Sequence, residues 1–170
     1  VGGGGLLDIG CYCISSSRWI CEKEPKRVIG LFSKDPSFGT DRLASGILDF
    51  GNGLQASFTC STQVAPYQRI NILGTHGRVE IDIPFNAPPD RPCRVSLYPG
   101  THSDQGRFEP AESQVLDMDI CDQYTLQGEA ISLAILNDEP VPYGLEDAVG
   151  NMRTLEALRQ SNESSAWIVP

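Results

Sequence analysis

Positive charge is scarce in this sequence. Thirteen Lys and Arg stand against 22 Asp and Glu, giving a net charge of −9 and a pI near 4.6. No Lys/Arg cluster offsets that balance, so repulsion argues against nucleic acid and anionic membrane as partners. Long apolar runs are missing too, and none approaches the roughly 18 residues of a membrane span. Histidine is limited to His76 and His102, each alone. One falls in a predicted turn and the other in a polar loop, so both read as surface residues rather than members of a triad.

Cysteine is present, but its useful spacings are not. None of Cys11, Cys13, Cys21, Cys60, Cys93 and Cys121 forms a CxxC pair. Cys11 and Cys13 would project about 200° apart on a helix, so no metal site is expected. A chain of 170 residues has core enough without a disulfide scaffold. The expectation is free, mostly buried thiols in a cytoplasmic protein, with no weight on the sequon Asn162-Glu163-Ser164. The phosphate-binding patterns GxGxxG and GxxxxGK(S/T) are also absent. The glycine run Gly2–Gly5 therefore reads as a turn that lets backbone pass closely, not as a nucleotide loop.

What is present describes an ordinary globular protein, 40% apolar and 21% charged, expected to form one domain over residues 1–170. It begins at Val1, directly in a glycine run, which reads as part of something longer. Residues 6–20 have helical periodicity. Stepping 100° per residue puts Leu6, Leu7, Ile9, Cys13, Ile14 and Ile20 on one broad arc, the expected core face. Asp8, Tyr12, Ser15 and Trp19 fall on a narrow arc opposite. A Trp and a Tyr beside one acid do not make an ordinary solvated face. Either the aromatics pad a second packing layer, or another body covers them.

From Lys26 the period changes to that of strands. Residues 27–32 form a strand-like run, and 43–50 with 54–62 flank the hairpin signal Gly51-Asn52-Gly53. Residues 67–73 and 78–83 flank a second turn at 74–77. Val79, Ile81 and Ile83 alternate there with Glu80 and Asp82, so one face is polar. Residues 84–92 hold four prolines and read as a loop, as does the polar stretch 99–110. Strands are predicted at 93–98 and 113–118.

Two helices follow. The first, 123–136, has apolar residues on both sides and is expected to be buried twice over. The second, 145–160, turns Leu145, Ala148, Val149, Met152 and Leu155 to the core, and Trp167-Ile168-Val169 reads as a short final strand. The fold class is α+β: a large, mainly antiparallel sheet with helices on one face. Its other face, where residues such as Phe58 and Ile72 could lie, is expected to meet a partner subunit.

Asp8 and Tyr12 carry the chemistry that can be read here. A phenol keeps its proton at neutral pH and can donate it, for instance to a carbonyl oxygen receiving hydride. Acting as a base it needs a nearby cation. Lys23 and Lys26 lie about 20 Å along the helix axis from Asp8, so that helper has to come from elsewhere.

These residues resemble a known family. Gly-Gly-Gly-Leu-Leu-Asp-Ile-Gly-Cys-Tyr with Arg18-Trp19 is similar to the start of the C-terminal domain of the glucose-fructose oxidoreductase/inositol dehydrogenase/rhizopine catabolism (Gfo/Idh/MocA) oxidoreductases. The similarity runs through residues 68–81 and Phe85 into Glu146-Asp147-Ala148 and Asn151-Met152-Arg153. It implies a glyceraldehyde-3-phosphate dehydrogenase-like C-terminal domain that binds substrate and builds a homodimer or larger homo-oligomer through its sheet. An N-terminal Rossmann domain, absent from these residues, would bind NAD or NADP and bring the Lys of a Glu-Lys-Pro motif. Glu22-Lys23-Glu24-Pro25 is not that motif. The resemblance makes Asp8 and Tyr12 the catalytic pair and Asp8, Tyr12, Ser15 and Trp19 the substrate-binding set, gives Ser15 and Trp19 a covering in the absent domain or its cofactor, and leaves no cofactor-binding residue assigned in this stretch. The substrate class is a sugar, polyol or related hydroxyl/carbonyl compound, and the isolated stretch is expected to be inactive. The alternative is a non-catalytic binding or assembly module on the same scaffold.

Overall fold

A computed structural model describes residues 3–170; Val1 and Gly2, the latter the first of the glycine run, lie outside the described residues. The fold is α+β with antiparallel strands, and the chain divides into two compact units, 1–65 with 143–170, and 66–142.

In the first unit β1 (Arg27–Lys34), β2 (Asp41–Gly51) and β3 (Leu54–Ser61) form a three-stranded antiparallel sheet in sequence order. The β2–β3 hairpin sits on the expected turn, where Gly51, Asn52 and Gly53 all take positive φ. Register places Val28, Leu48 and Ala56 in one row, Gly30, Gly46 and Phe58 in the next, and Phe32, Ala44 and Cys60 in a third. All three rows share one face, so Phe58 packs against the core and not on the open face expected for it. The opposite face carries Leu31, Leu43 and Ile47, all exposed.

Helix α3, Leu145–Ser164, closes the covered face. Gly30 and Gly46 lie side by side beneath it, and a Cβ on Gly46 would stand 3.0 Å from Leu158 Cδ2. The glycine pair makes a trough for Leu158, which is fully buried. The same helix and the tail that follows it cover the free edge of β1. Gly30 N donates to Ser161 Oγ at 3.1 Å, Phe32 N donates to Asn162 Oδ1 at 2.7 Å, and Val28 exchanges two backbone bonds with Ile168. An unpaired edge is thereby covered.

That packing corrects the face assigned to this helix. Leu155 is buried, but Leu145 is 80% exposed and Val149 and Met152 are also exposed, lining an open groove beside Val169 and Pro170. The buried face is Thr154, Leu155, Ala157, Leu158 and Ser161. Apolar periodicity misses it because two of its residues are hydroxylic. They are satisfied locally, Thr154 Oγ1 donating to the Gly150 carbonyl and Ser161 Oγ to the Ala166 carbonyl.

The first helix opens with a π-helical turn, Leu6–Gly10, and continues as α1, Cys11–Cys21. Its buried stripe is Leu6, Gly10, Ile14 and Arg18. Leu6 and Ile14 are the core residues expected; Leu7 is exposed and Cys13 and Ile20 are half-buried. A π turn closes i→i+5 bonds, so a uniform 100° step loses phase there and Leu7 leaves the core.

In the second unit β4 (Ile70–Gly74), β5 (Gly77–Ile81), β6 (Cys93–His102), β7 (Phe108–Pro110) and β8 (Gln114–Met118) form a five-stranded sheet around the long β6. β7 lies within the stretch expected to be all loop. One face aligns Ile72, Val79 and Leu97. The other is a lattice of ion pairs: Arg69 to Glu80 and Asp82, Arg78 to Glu80, and Arg94 to Asp117. The polar face expected from Glu80 and Asp82 is there.

Helix α2 (Gln123–Asn137) is capped by Asp122, which accepts from Tyr124 N at 3.0 Å. It was expected to be buried on two sides. Instead Ala134 is its one buried residue, and Tyr124, Leu126, Ile131, Leu133, Ile135 and Leu136 are exposed.

Candidate active site

The helix bearing Asp8 and Tyr12 is held at its start by a residue far along the chain. Leu6 N donates to Asp41 Oδ2 at 2.6 Å, and Gly4, at φ +80°, folds against the same carboxylate. A Cβ on Gly4 would collide with Asp41, so both the backbone angle and the close approach require glycine. Gly10 is constrained on the other side, where a Cβ would stand 2.9 Å from Leu6 Cδ1 and 3.2 Å from Cys60 Sγ. The glycines are thus the means by which the helix start sits down on β2 and β3.

This arrangement tests the glycine run as a dinucleotide phosphate site, and the residues do not fit. A helix N-terminus attracts anions because its first amides are free and its dipole is positive there. Here an internal carboxylate already occupies the Leu6 amide.

Two further ties join α1 to α3. Asn151 Nδ2 donates to the Cys11 carbonyl at 3.2 Å. At the other end Arg18, 6% exposed, binds Glu24 through Nε at 2.8 Å and Nη2 at 2.6 Å, while Nη1 lies 2.9 Å from Asp147 Oδ1. That last contact is an ion pair. The guanidinium hydrogen bond holds the Glu24 carboxyl below its ordinary value, and the Glu24 bond in turn raises Arg18. Gly150 admits the buckle, for a Cβ there would stand 2.5 Å from Arg18 Nη2. Arg18, Asp147 and Asn151, picked out earlier only as parts of a family pattern, prove to share one interface. Apolar periodicity cannot find them, because a buried Arg is permitted by partners distant in sequence.

With the helix so held, Asp8 is exposed, Tyr12 is 54% exposed, Trp19 is 63% exposed and Ser15 is half-buried. The stripe points away from this unit's own core, as its spacing predicts. Asp8 lies in the π turn and Tyr12 one step into α1, four residues on, which keeps a carboxylate and a phenol neighbouring on the helix surface. Lys26 does not serve Tyr12: its ammonium lies over the β2–β3 turn, 2.7 Å from where a Cβ on Gly51 would stand. His76 and His102 are both exposed; His76 Nδ1 is 3.1 Å from Thr75 Oγ1 and His102 packs edge-on to Phe108.

All six cysteines are free; Cys60 is buried, Cys121 exposed and the other four half-buried. Burial pushes Cys13 up to about 11 and Cys60 up to about 12, so neither is a ready nucleophile. Among the described residues no group of three His, Cys, Asp or Glu could hold a metal ion, and no helix is long and apolar enough to cross a membrane.

Residues 1–80 match the family model described as the GFO/IDH/MocA C-terminal domain. The chain is similar to the C-terminal domains of the Gfo/Idh/MocA oxidoreductases. It is 38% identical over 167 residues to an uncharacterized oxidoreductase, ORF334, of Rhizobium meliloti, covering 98% of this chain and 48% of that protein. It is 28% identical over 171 residues to D-xylose 1-dehydrogenase (NADP(+)) 2 of Haloferax volcanii, with the same two coverages, 98% and 48%. Among solved structures, the aldose-aldose oxidoreductase of Caulobacter crescentus complexed with glycerol superposes with a TM-score of 0.77 at 24% identity, covering all of this chain and 48% of that one. A 3-ketoreductase of Actinomadura kijaniata in complex with TDP-benzene and NADP gives 0.80 at 21% identity, covering 95% and 48%. The chain spans about half the length of the curated relatives it matches.

Proposed function

We propose that residues 1–170 are the substrate-binding and oligomer-forming domain of a longer NAD(P)-dependent oxidoreductase acting on a sugar, polyol or related hydroxyl/carbonyl compound. The observation that carries this reading is the outward stripe of Asp8, Tyr12 and Trp19 on a helix fixed from behind at both ends. The named relatives support the chemistry: one is an NADP-dependent xylose dehydrogenase, and the solved 3-ketoreductase binds NADP. The half-length match supports a further domain, which we assign as an N-terminal Rossmann domain. That domain would hold the dinucleotide, whose nicotinamide would supply or accept the hydride.

This chain's residues handle the rest. Tyr12 gives a proton to, or takes one from, the substrate oxygen through its phenol. Asp8 accepts a hydrogen bond from a neighbouring hydroxyl and so fixes which carbon is presented. Ser15 adds a hydroxyl contact. Trp19 supplies a flat apolar wall for the sugar ring or for the other domain. The exposed Leu31, Leu43 and Ile47 on the open side of the three-stranded sheet support subunit pairing through that sheet.

The test is Tyr12→Phe in the longer protein. We expect kcat to fall by about 10²-fold or more, the usual scale for a lost general acid. An unchanged rate on a competent substrate removes Tyr12 from the chemistry. Residues 1–170 alone are expected to show no NAD(P)H binding at millimolar concentration by fluorescence titration, because Asp41 holds the helix amide that a phosphate would need.

A further inference from the structure

We infer that Asn151 is a positioning residue for Tyr12, acting through the backbone of the residue before it. The inference rests on the proposed role of Tyr12 as proton donor. Asn151 Nδ2 donates to the carbonyl of Cys11 across 140 residues of sequence. The other end of the same amide, Oδ1, is buried and has no hydrogen-bond partner among the described residues. An apolar side chain of similar size would fill the position without stranding a buried acceptor. Stability therefore does not account for an amide here. What the amide provides, and an apolar contact does not, is direction.

Direction matters at this point of the helix. The α1–α3 contact has a second polar tie, Arg18 to Asp147 at 2.9 Å. Tyr12 lies between the two tied positions on α1, next to the Asn151 tie, and Trp19 lies just beyond the other. On α3 the partners Asp147 and Asn151 are one turn apart, on the same side of the helix. Without the Asn151 tie the helix is held by polar contacts only near its two ends, at Leu6–Asp41 and Arg18–Asp147, and the turn that carries Tyr12 can shift on the apolar stripe of Leu6, Gly10 and Ile14. The Asn151 bond to the Cys11 carbonyl fixes that turn, and so the line along which the phenol leaves the helix. Proton transfer needs donor and acceptor within hydrogen-bond reach, and a misplacement of about 1 Å can cost on the order of 10²-fold in rate.

The experiment uses the longer protein with its dinucleotide and measures kcat, KM and thermal midpoint for Asn151→Leu, Asn151→Ala, Tyr12→Phe and the double variants. Asn151→Leu is expected to keep the wild-type midpoint or exceed it, to lower kcat about tenfold, and to change KM less than about threefold. In the Tyr12→Phe background it should lower kcat by less than about twofold further, because it acts through the phenol already removed. If Asn151→Leu does not fold, Asn151→Ala is read by the same criteria. A kcat within twofold of wild type in the folded variant, while Tyr12→Phe loses activity, overturns the positioning role and leaves the functional reading standing. So does a full tenfold loss on top of Tyr12→Phe. An active Tyr12→Phe enzyme overturns the functional reading, and this inference with it.

Discussion

The two units use similar material to different ends. In residues 1–65 with 143–170, two helices cover one face of a three-stranded sheet, and Ile14, Val28, Leu48 and Leu158 are shut off from solvent entirely. In residues 66–142, Ala134 is the one buried apolar side chain among the described residues. That unit has a comparable supply of Leu, Ile and Val but spends one sheet face on arginine–carboxylate pairs and leaves α2 open. An apolar residue is buried only where another element is shaped to receive it. The first unit has such a receiver in the Gly30/Gly46 trough; among the described residues no counterpart serves α2.

Truncation should expose that contrast most sharply. Leu158→Ala, in the trough, is expected to cost about 3 kcal/mol in denaturant unfolding followed by circular dichroism. Leu133→Ala, at a side chain 56% exposed on α2, should cost less than about 1 kcal/mol. Equal costs would abolish the distinction between the units.

Arg18→Met probes the buckle that ties the first unit's helices. It keeps much of the buried stem but strips Glu24 and Asp147 of their cation, and about 2 kcal/mol of stability should be lost, measured the same way. A cost near zero would make the helix contact purely apolar.

The buckle also has a pH signature. Because Glu24 is held below its ordinary value, its contribution is complete above about 4.5 and disappears as pH falls through the lower folded value. Glu24→Gln should therefore be less stable than wild type at pH 7, by less than about 1 kcal/mol since the carboxyl is largely exposed. The two proteins should converge in strong acid. A gap that widens on acidification would reverse the sign and break the assignment. Smallest of all is Arg94→Ala in the second unit's lattice, expected to change stability by about 0.5 kcal/mol or less, because both partners are 55% exposed.

Much of this was legible along the chain. The two hairpins fall where Gly51-Asn52-Gly53 and residues 74–77 place them, since turn chemistry is local. The outward stripe of Asp8, Tyr12 and Trp19 follows from helical spacing alone. What stayed hidden depended on contacts between distant residues. β7 is three residues long and forms only because β6 extends past Tyr98 to pair with it. Helix α3 buries Thr154 and Ser161 beside Leu155 and Leu158 because their hydroxyls find carbonyls nearby, and leaves Leu145, Val149 and Met152 exposed.

The opening helix shows the division in one place. By itself the sequence determined that residues 6–20 coil into a helix, that Asp8 and Tyr12 stand a turn apart, and that neither GxGxxG nor GxxxxGK(S/T) occurs within residues 1–170. Those are consequences of local sterics and spacing. Tertiary structure decided where that pair is aimed. Asp41 takes the first amide, Asn151 the Cys11 carbonyl, and Glu24 with Asp147 the buried Arg18. Each partner except Glu24 lies more than 30 residues away, and only folding makes the distance short.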